Sequence, residues 1–103
     1  MLAVFYFETG GEAWKDKSGW LSNDSVCDGW FGVFCDNFQE VNYLALDNNN
    51  LSGVLTTEIW RLARLEHLSV EKNEIFGTLP NQLFFLTALT YLNVAQSMLE
   101  GHL

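Results

Sequence analysis

Basic residues are scarce in this chain, with five Lys and Arg against thirteen Asp and Glu and a formal net charge of −8. Nucleic acids and anionic membrane surfaces are bound mainly through clustered Lys and Arg. The composition therefore disfavours both as partners. Hydrophobic residues make up 49% of the chain and charged residues only 17%, which is not the composition of a disordered protein. A length of 103 residues allows one domain.

Long hydrophobic runs and the short motifs of common enzymes are also missing. The run over residues 2–7 is closed by Glu8 and has no basic residues before it. It is too short for a membrane span, and we expect no signal peptide within these residues. The run predicts the buried side of a short helix that ends at Gly10. No GxGxxG, Walker, HExxH or GxSxG pattern occurs, so we expect no enzyme and no cofactor.

From Val41 onward the sequence repeats with a period of 24 residues. A match of many positions at one spacing indicates repeated structural units. We divide this part into units 41–64, 65–88 and an incomplete 89–103, preceded by a cap over residues 1–40. The matching positions are Leu44, Leu68 and Leu92; Leu46, Val70 and Val94; Leu51, Ile75 and Leu99; Gly53, Gly77 and Gly101; and Leu55, Leu79 and Leu103.

Each unit contains an L-x-L segment followed by Asn, an apolar residue, Gly and Leu, and Pro80 follows that Leu in the second unit. This pattern resembles the plant-type leucine-rich repeat. The resemblance implies an α/β solenoid with parallel strands on a concave face and short helical or 3-10 segments on a convex face. Strand alternation directs Leu44 and Leu46 inward. Asn49 and Asn73 lie where the chain leaves each strand, and a buried amide there would bond backbone groups.

The stretch CDGWFGVFC contains the two cysteines of the chain, Cys27 and Cys35. Within it, residues 30–35 resemble the WxGVxC core of the N-terminal cap of leucine-rich-repeat proteins. The resemblance implies a helical cap whose two cysteines form a disulfide. Zinc requires about four ligands at recognisable spacing, and a redox pair usually has the spacing C-x-x-C. Both alternatives are therefore disfavoured, and we expect one disulfide.

Two sequons bear on location. Asn23 and Asn50 each begin an Asn-x-Ser pattern, so both are candidate glycosylation sites. With the expected disulfide, they predict an extracellular or cell-surface glycoprotein. The resemblance implies a parent such as a cell-surface receptor, including receptor kinases, or a secreted inhibitor.

In-register stacking of the predicted strands places three columns of side chains on the outer face. Aromatic and polar side chains on a rigid sheet suit recognition of a ligand. We therefore predict a binding module for a protein or peptide, with a glycan as the weaker alternative. The candidate contacts are Tyr43, Asp47, His67, Ser69, Glu71, Tyr91 and Asn93.

Asp47 and Glu71 would be neighbouring carboxylates in the third column. Such a pair can serve glycoside hydrolysis or hold calcium. An open sheet has no pocket that excludes water, so solvated side chains are the favoured interpretation, and we expect no metal site.

Large aromatic residues also occur where the family pattern usually has a small residue. Trp60, Phe84 and Phe85 would either cover the edge of the core or form an exposed apolar ridge. The ridge supports an alternative function, a structural or adhesion module that self-associates or contacts the cell wall. Self-association through the uncovered third unit is a further alternative.

Overall fold

A computed structural model describes residues 2–55, 59–78, 83, 85–94 and 98–100 of the chain. Helix α1 spans Leu2–Glu8 and α2 spans Val26–Gly29, and 3-10 helices span Gly11–Ala13 and Ile59–Arg61. The strands are β1 (Val33–Cys35), β2 (Val41–Ala45), β3 (Ser52–Val54), β4 (His67–Ser69), β5 (Glu74–Thr78), β6 (Tyr91–Asn93) and β7 (Met98–Glu100).

The strands form two sheets. One has the order β1-β2-β4-β6, in which β1 is antiparallel to β2 and the other pairs are parallel. Its register pairs Leu44 with Leu68 and Leu68 with Leu92, at the 24-residue spacing of the sequence. The second sheet, β3-β5-β7, is parallel throughout. Successive units of the repeat therefore lie side by side.

The second sheet was not predicted, since the resemblance implied only helical or 3-10 segments after each Asn. Short parallel strands form there because stacking places equivalent segments of successive units within hydrogen-bonding distance. The 3-10 helix Ile59–Arg61 does match the expectation. The sequence also places Leu46 and Asp47 in the first repeat strand, whereas β2 ends at Ala45.

The core lies between the two sheets, and its centre consists of the repeated apolar positions. Leu44 and Leu46 are completely buried, as alternation predicts, and Leu68 and Val70 occupy the same places in the second unit. Leu51 and Ile75 close the core from the side of the second sheet. Each such side chain contributes about 1.5–3 kcal/mol through burial.

The cap contributes a group of aromatic side chains to the same core. Phe5 and Tyr6 on the inner side of α1 pack with Trp14 and Trp20, whose ring centroids lie 4.8 Å apart. Helix α1 ends at Glu8. Gly10, the residue predicted to terminate it, follows two positions later and adopts a left-handed conformation with φ 68°. Glycine adopts this conformation without the steric cost that a Cβ adds.

Two buried asparagines join neighbouring units through backbone hydrogen bonds. Asn49 exchanges two bonds with Asp16 of the cap, accepting from its N–H at 2.7 Å and donating to its carbonyl at 2.8 Å. The Oδ1 of Asn73 accepts from the N–H groups of Asn49 and Leu51, and its Nδ2 donates to the Leu46 carbonyl. Each amide thus satisfies backbone groups of the preceding unit.

A disulfide joins Cys27 of α2 to Cys35 of β1, with their Cα atoms 5.4 Å apart. The segment between them contacts the first repeat unit closely. At Gly32, where φ is 80°, an added Cβ would lie 2.3 Å from the carbonyl oxygen of Ala45. Val33 is buried, and Trp30 is half-buried. The cap therefore covers the first edge of the repeat core.

The ridge interpretation is wrong for Trp60. Its side chain is only 3% exposed and belongs to the core, because burying a large indole against apolar neighbours is favourable. Phe85 is 75% exposed, so it remains available for contact with a partner. Phe84 lies outside the described residues.

Candidate ligand-binding face

Three rings stack on the outer face of the four-stranded sheet. The ring centroids of Tyr43 and His67 lie 4.0 Å apart with 7° between the planes, and those of His67 and Tyr91 lie 4.2 Å apart with 2° between the planes. Parallel pairing places the three residues at the same level on adjacent strands, which lie about 4.8 Å apart. We call the face of the sheet that bears these rings the ladder face.

Phe34 of the cap extends the ladder face, and the sequence prediction did not include it. It pairs with Tyr43 in the antiparallel register, and the two ring planes meet at 84° with centroids 5.2 Å apart. Since β1 and β4 lie on opposite sides of β2, Tyr43 has His67 on one side and Phe34 on the other. Phe34 is 57% exposed. The alternation of buried Val33 with Phe34 in the cap motif was the available signal.

The polar candidates form a hydrogen-bonded row that crosses the strands. Asp47 Oδ1 accepts from the Ser69 hydroxyl at 2.5 Å and from the Glu71 N–H at 2.9 Å. The Oε2 of Glu71 accepts from Asn93 Nδ2 at 2.8 Å, and the same nitrogen lies 3.2 Å from the Tyr91 hydroxyl. Each carboxylate is therefore oriented by the neighbouring strand.

Ser69 is the one predicted contact that is itself buried, at 2% exposure. It orients Asp47 and presents little surface to a ligand. Among the described residues, no group of three or more His, Cys, Asp or Glu side chains could hold a metal ion. The two remaining predicted contacts, Tyr91 and Asn93, lie on β6, next to the second unit. At the 24-residue spacing, Ala95 would follow Asp47 and Glu71 in the third column, and it lies outside the described residues.

A depression of about 450 Å³ lies beside the stacked rings. It is lined by Phe34, Asn42, Tyr43, Glu66, His67 and Thr90. Asn42, Glu66 and Thr90 occupy one column of the 24-residue repeat, immediately before the ring residues. The sequence prediction missed this column because alternation alone directs it inward. Glu66 and Thr90 are exposed because β4 and β6 begin only at the following residue.

Asp36 connects the turn after β1 to the first repeat unit. Its Oδ1 accepts from the backbone N–H groups of Phe38 and Glu40, and its Oδ2 lies 2.9 Å from Nε of Arg64. Desolvation raises the pKa of this carboxyl. The hydrogen bonds and the guanidinium charge outweigh it, so that the pKa of Asp36 lies below its usual value. Arg64 also lies over the ring of Phe38, 4.8 Å from its centroid.

The two sequon asparagines differ in their surroundings. Asn23 lies in an exposed stretch between Trp20 and α2. Asn50, although exposed, donates from Nδ2 to the carbonyl of Ala13 at 2.9 Å. Glycosylation of both residues stays a prediction.

Comparison of the sequence with known proteins assigns the chain to no family. No protein-family model matches the chain, and no curated protein sequence matches it. The resemblance to known proteins is therefore one of fold.

Two similar solved structures are ectodomains of proteins from Arabidopsis thaliana. The leucine-rich-repeat ectodomain of the receptor kinase SOBIR1 superposes with a TM-score of 0.72 at 20% identity, over 95% of this chain and 52% of that one. The BIR2 ectodomain superposes with a TM-score of 0.71 at 25% identity, over 94% of this chain and 56% of that one. A complex of BIR3 with SERK2 from the same plant superposes with a TM-score of 0.50 at 18% identity, over 79% of this chain and 57% of that one.

These superpositions define the class: the chain has the fold of leucine-rich-repeat ectodomains. More narrowly, that fold is the plant type, which confirms the resemblance seen in the sequence. The chain spans about half the length of the ectodomains that it matches. No helix among the described residues is both long and apolar enough to cross a membrane.

Proposed function

We propose that the chain is a non-enzymatic recognition module that binds a protein or peptide ligand on the ladder face. In a leucine-rich-repeat solenoid this face is the concave one, and the convex side consists of the short segments that include the 3-10 helix Ile59–Arg61. The division into a cap over residues 1–40 and repeats over 41–103 is part of the proposal. Location of the protein at the cell surface or outside the cell is also part of the proposal.

The observation that supports the proposal most directly is the stacked row of rings. Tyr91 is 45% exposed, while its ring is held against His67. Side chains already held in place lose little conformational entropy when a ligand binds, which favours affinity. Tyrosine also combines apolar area with a hydroxyl and is common in binding surfaces.

The described part of the ladder face is wide and open, which suits a polypeptide better than a small substrate. One hydrogen bond from Ser69 to Asp47 and one from Asn93 to Glu71 hold the two carboxylates at defined positions next to the rings. One of the similar structures is itself a complex of two proteins. These features support a protein or peptide partner.

The proposal is tested by selecting ligands from a phage library of random dodecapeptides on the immobilised chain. Enriched peptides are then synthesised, and their Kd is measured for the chain and for His67→Ala/Tyr91→Ala. We expect the double substitution to weaken binding more than about tenfold, as loss of central aromatic contacts does in other interfaces.

The matched control is Phe85→Ala, which removes an exposed ring elsewhere on the chain. It should leave the Kd of the same peptides unchanged. A selection that enriches no peptide, or peptides that depend on Phe85 and not on His67 and Tyr91, would show that the ladder face is not the binding surface.

A further inference from the structure

We propose that the depression between Phe34 and Glu66 binds an arginine or lysine side chain of the peptide ligand. The inference rests on the proposed function, because it assigns the chemistry of one subsite on the ladder face. The depression brings an exposed aromatic ring and an exposed carboxylate to the same opening. That pair of groups attracts a cation with an apolar stem.

The ring available to such a cation is that of Phe34. Tyr43 has His67 stacked on one face and Phe34 at a steep angle on the other, so its faces are largely occupied. Phe34 is 57% exposed, and its ring lies at the end of the row. A guanidinium or ammonium group is attracted to the negative face of an aromatic ring, also at an exposed site.

Glu66 provides the charge, and its main chain is held on both sides. Its N–H donates to the Asn42 carbonyl at 2.9 Å, and its carbonyl accepts from the N–H groups of Thr90 and Tyr91. Within the described residues the carboxylate has one donor, Asn42 Nδ2, at the long distance of 3.4 Å. An ionised carboxylate can accept about four hydrogen bonds, so Glu66 retains capacity for a ligand donor.

The surrounding charge is of the complementary sign. The residues that line the depression include no Lys or Arg, and Asp47 and Glu71 lie just after the ends of β2 and β4. Arg64, the basic residue closest to Glu66 in the sequence, is engaged by Asp36 and Phe38. With a formal charge of −8 for the whole chain, a basic peptide is attracted to this face and an acidic one is repelled.

The test uses blocked pentapeptides Gly-Gly-X-Gly-Gly, with X as arginine, lysine, norleucine or glutamate. Each is titrated into the ¹⁵N-labelled chain, and amide shifts are followed by NMR. We expect the arginine and lysine peptides to shift the amides of Phe34, Tyr43 and Glu66. The norleucine peptide, which matches lysine in its stem, and the glutamate peptide should leave them in place.

Glu66→Gln should weaken binding of the arginine peptide about two- to fivefold at low salt, the range for an exposed ion pair. Phe34→Leu should weaken it as well, because the apolar bulk stays while the aromatic face is lost. The matched control is Glu74→Gln, which removes the same charge from an exposed position of β5 in the other sheet. It should not change the affinity.

Equal shifts with arginine and norleucine peptides, absence of shifts with both, or an equal effect of Glu66→Gln and Glu74→Gln would overturn the inference. A different result would contradict the proposed function, namely library-selected peptides whose Kd is the same for the chain and for the His67→Ala/Tyr91→Ala variant. If those peptides require the rings but are not enriched in arginine or lysine, the ladder face binds ligands and the cation subsite is refuted.

Discussion

Asn73 shows how much of this fold depends on single polar side chains. Its Oδ1 accepts two hydrogen bonds, and the two N–H groups of its Nδ2 are shared among three carbonyls. All five partners are backbone groups, and the residue is 6% exposed. The backbone groups it serves, among them the N–H of Leu51, lie where the chain leaves the sheet and no neighbouring strand is available. The 24-residue spacing placed this Asn correctly at the turn, but its five partners come from the three-dimensional stacking.

At this scale we predict that Asn73→Ala lowers the free energy of unfolding by at least about 2 kcal/mol, because buried N–H and C=O groups lose their partner. The measurement is urea unfolding followed by tryptophan fluorescence. The matched control is Asn37→Ala, which removes an exposed amide in the turn between β1 and β2. Equal unfolding midpoints for the two variants would contradict the role given to Asn73.

Elements connect through short polar junctions as well as through the core. The turn between β1 and β2 is held by Asp36, which bonds two backbone N–H groups of the turn and Arg64 of the first unit. No sequence pattern singles out this carboxylate, since Arg64 is 28 residues away along the chain. Only the packing of the cap on the first unit brings the two together.

The lowered pKa of Asp36 leads to a prediction about acid. A carboxyl whose pKa is lower in the folded chain than in the unfolded one stabilises the fold above the unfolded value, about 3.9. That stability is lost as the pH falls through the folded value. Asp36→Asn should therefore reduce the loss of stability between about pH 5 and pH 3.

The loss is measured as the difference in urea midpoint between the two pH values, for the chain and for the variant. Asp28→Asn, at an exposed position of α2, is the control for removal of one charge. If Asp36→Asn and the control change the pH dependence equally, the junction at Asp36 does not contribute as proposed.

At the scale of the whole described chain, equivalent strands of successive units lie side by side, and the residues before the first unit pack against it. Hydrogen bonds from Asn49 to Asp16 and from the Ser52 N–H to the Thr9 carbonyl join the cap to the first unit. The aromatic side chains around Trp14 and Trp20 belong to the same apolar cluster as the repeat core. Stability of the repeats therefore depends on the cap remaining folded.

Removal of the disulfide tests whether the stability of the repeats depends on the cap. Cys27→Ser/Cys35→Ser should lower the free energy of unfolding by about 2.5 kcal/mol, the entropic value for a loop of this length. Since cap and repeats share one core, fluorescence and far-UV circular dichroism should still report a single transition at a lower midpoint. A cap that unfolds separately, at a lower midpoint than the repeats, would contradict the coupling.

The sequence alone predicted those features that depend on a repeated local pattern. The period of 24 specified which leucines are buried, which asparagines end each strand and which rings share a column, because parallel strands of equal units pair in register. The cap motif likewise predicted which cysteines are joined. These features follow from neighbours at a fixed spacing.

Tertiary structure alone decided the features that depend on contacts between unlike segments. Phe34 joined the row of rings because β1 pairs with β2 in an antiparallel register, and Glu66 became accessible because β4 starts one residue later. The local pattern left two interpretations of Trp60 open, of which burial in the core is correct, and it did not predict the second sheet. Local spacing specifies which features repeat. The surface proposed to bind a ligand lies where the cap and the repeats meet, so it depends on packing between unlike segments.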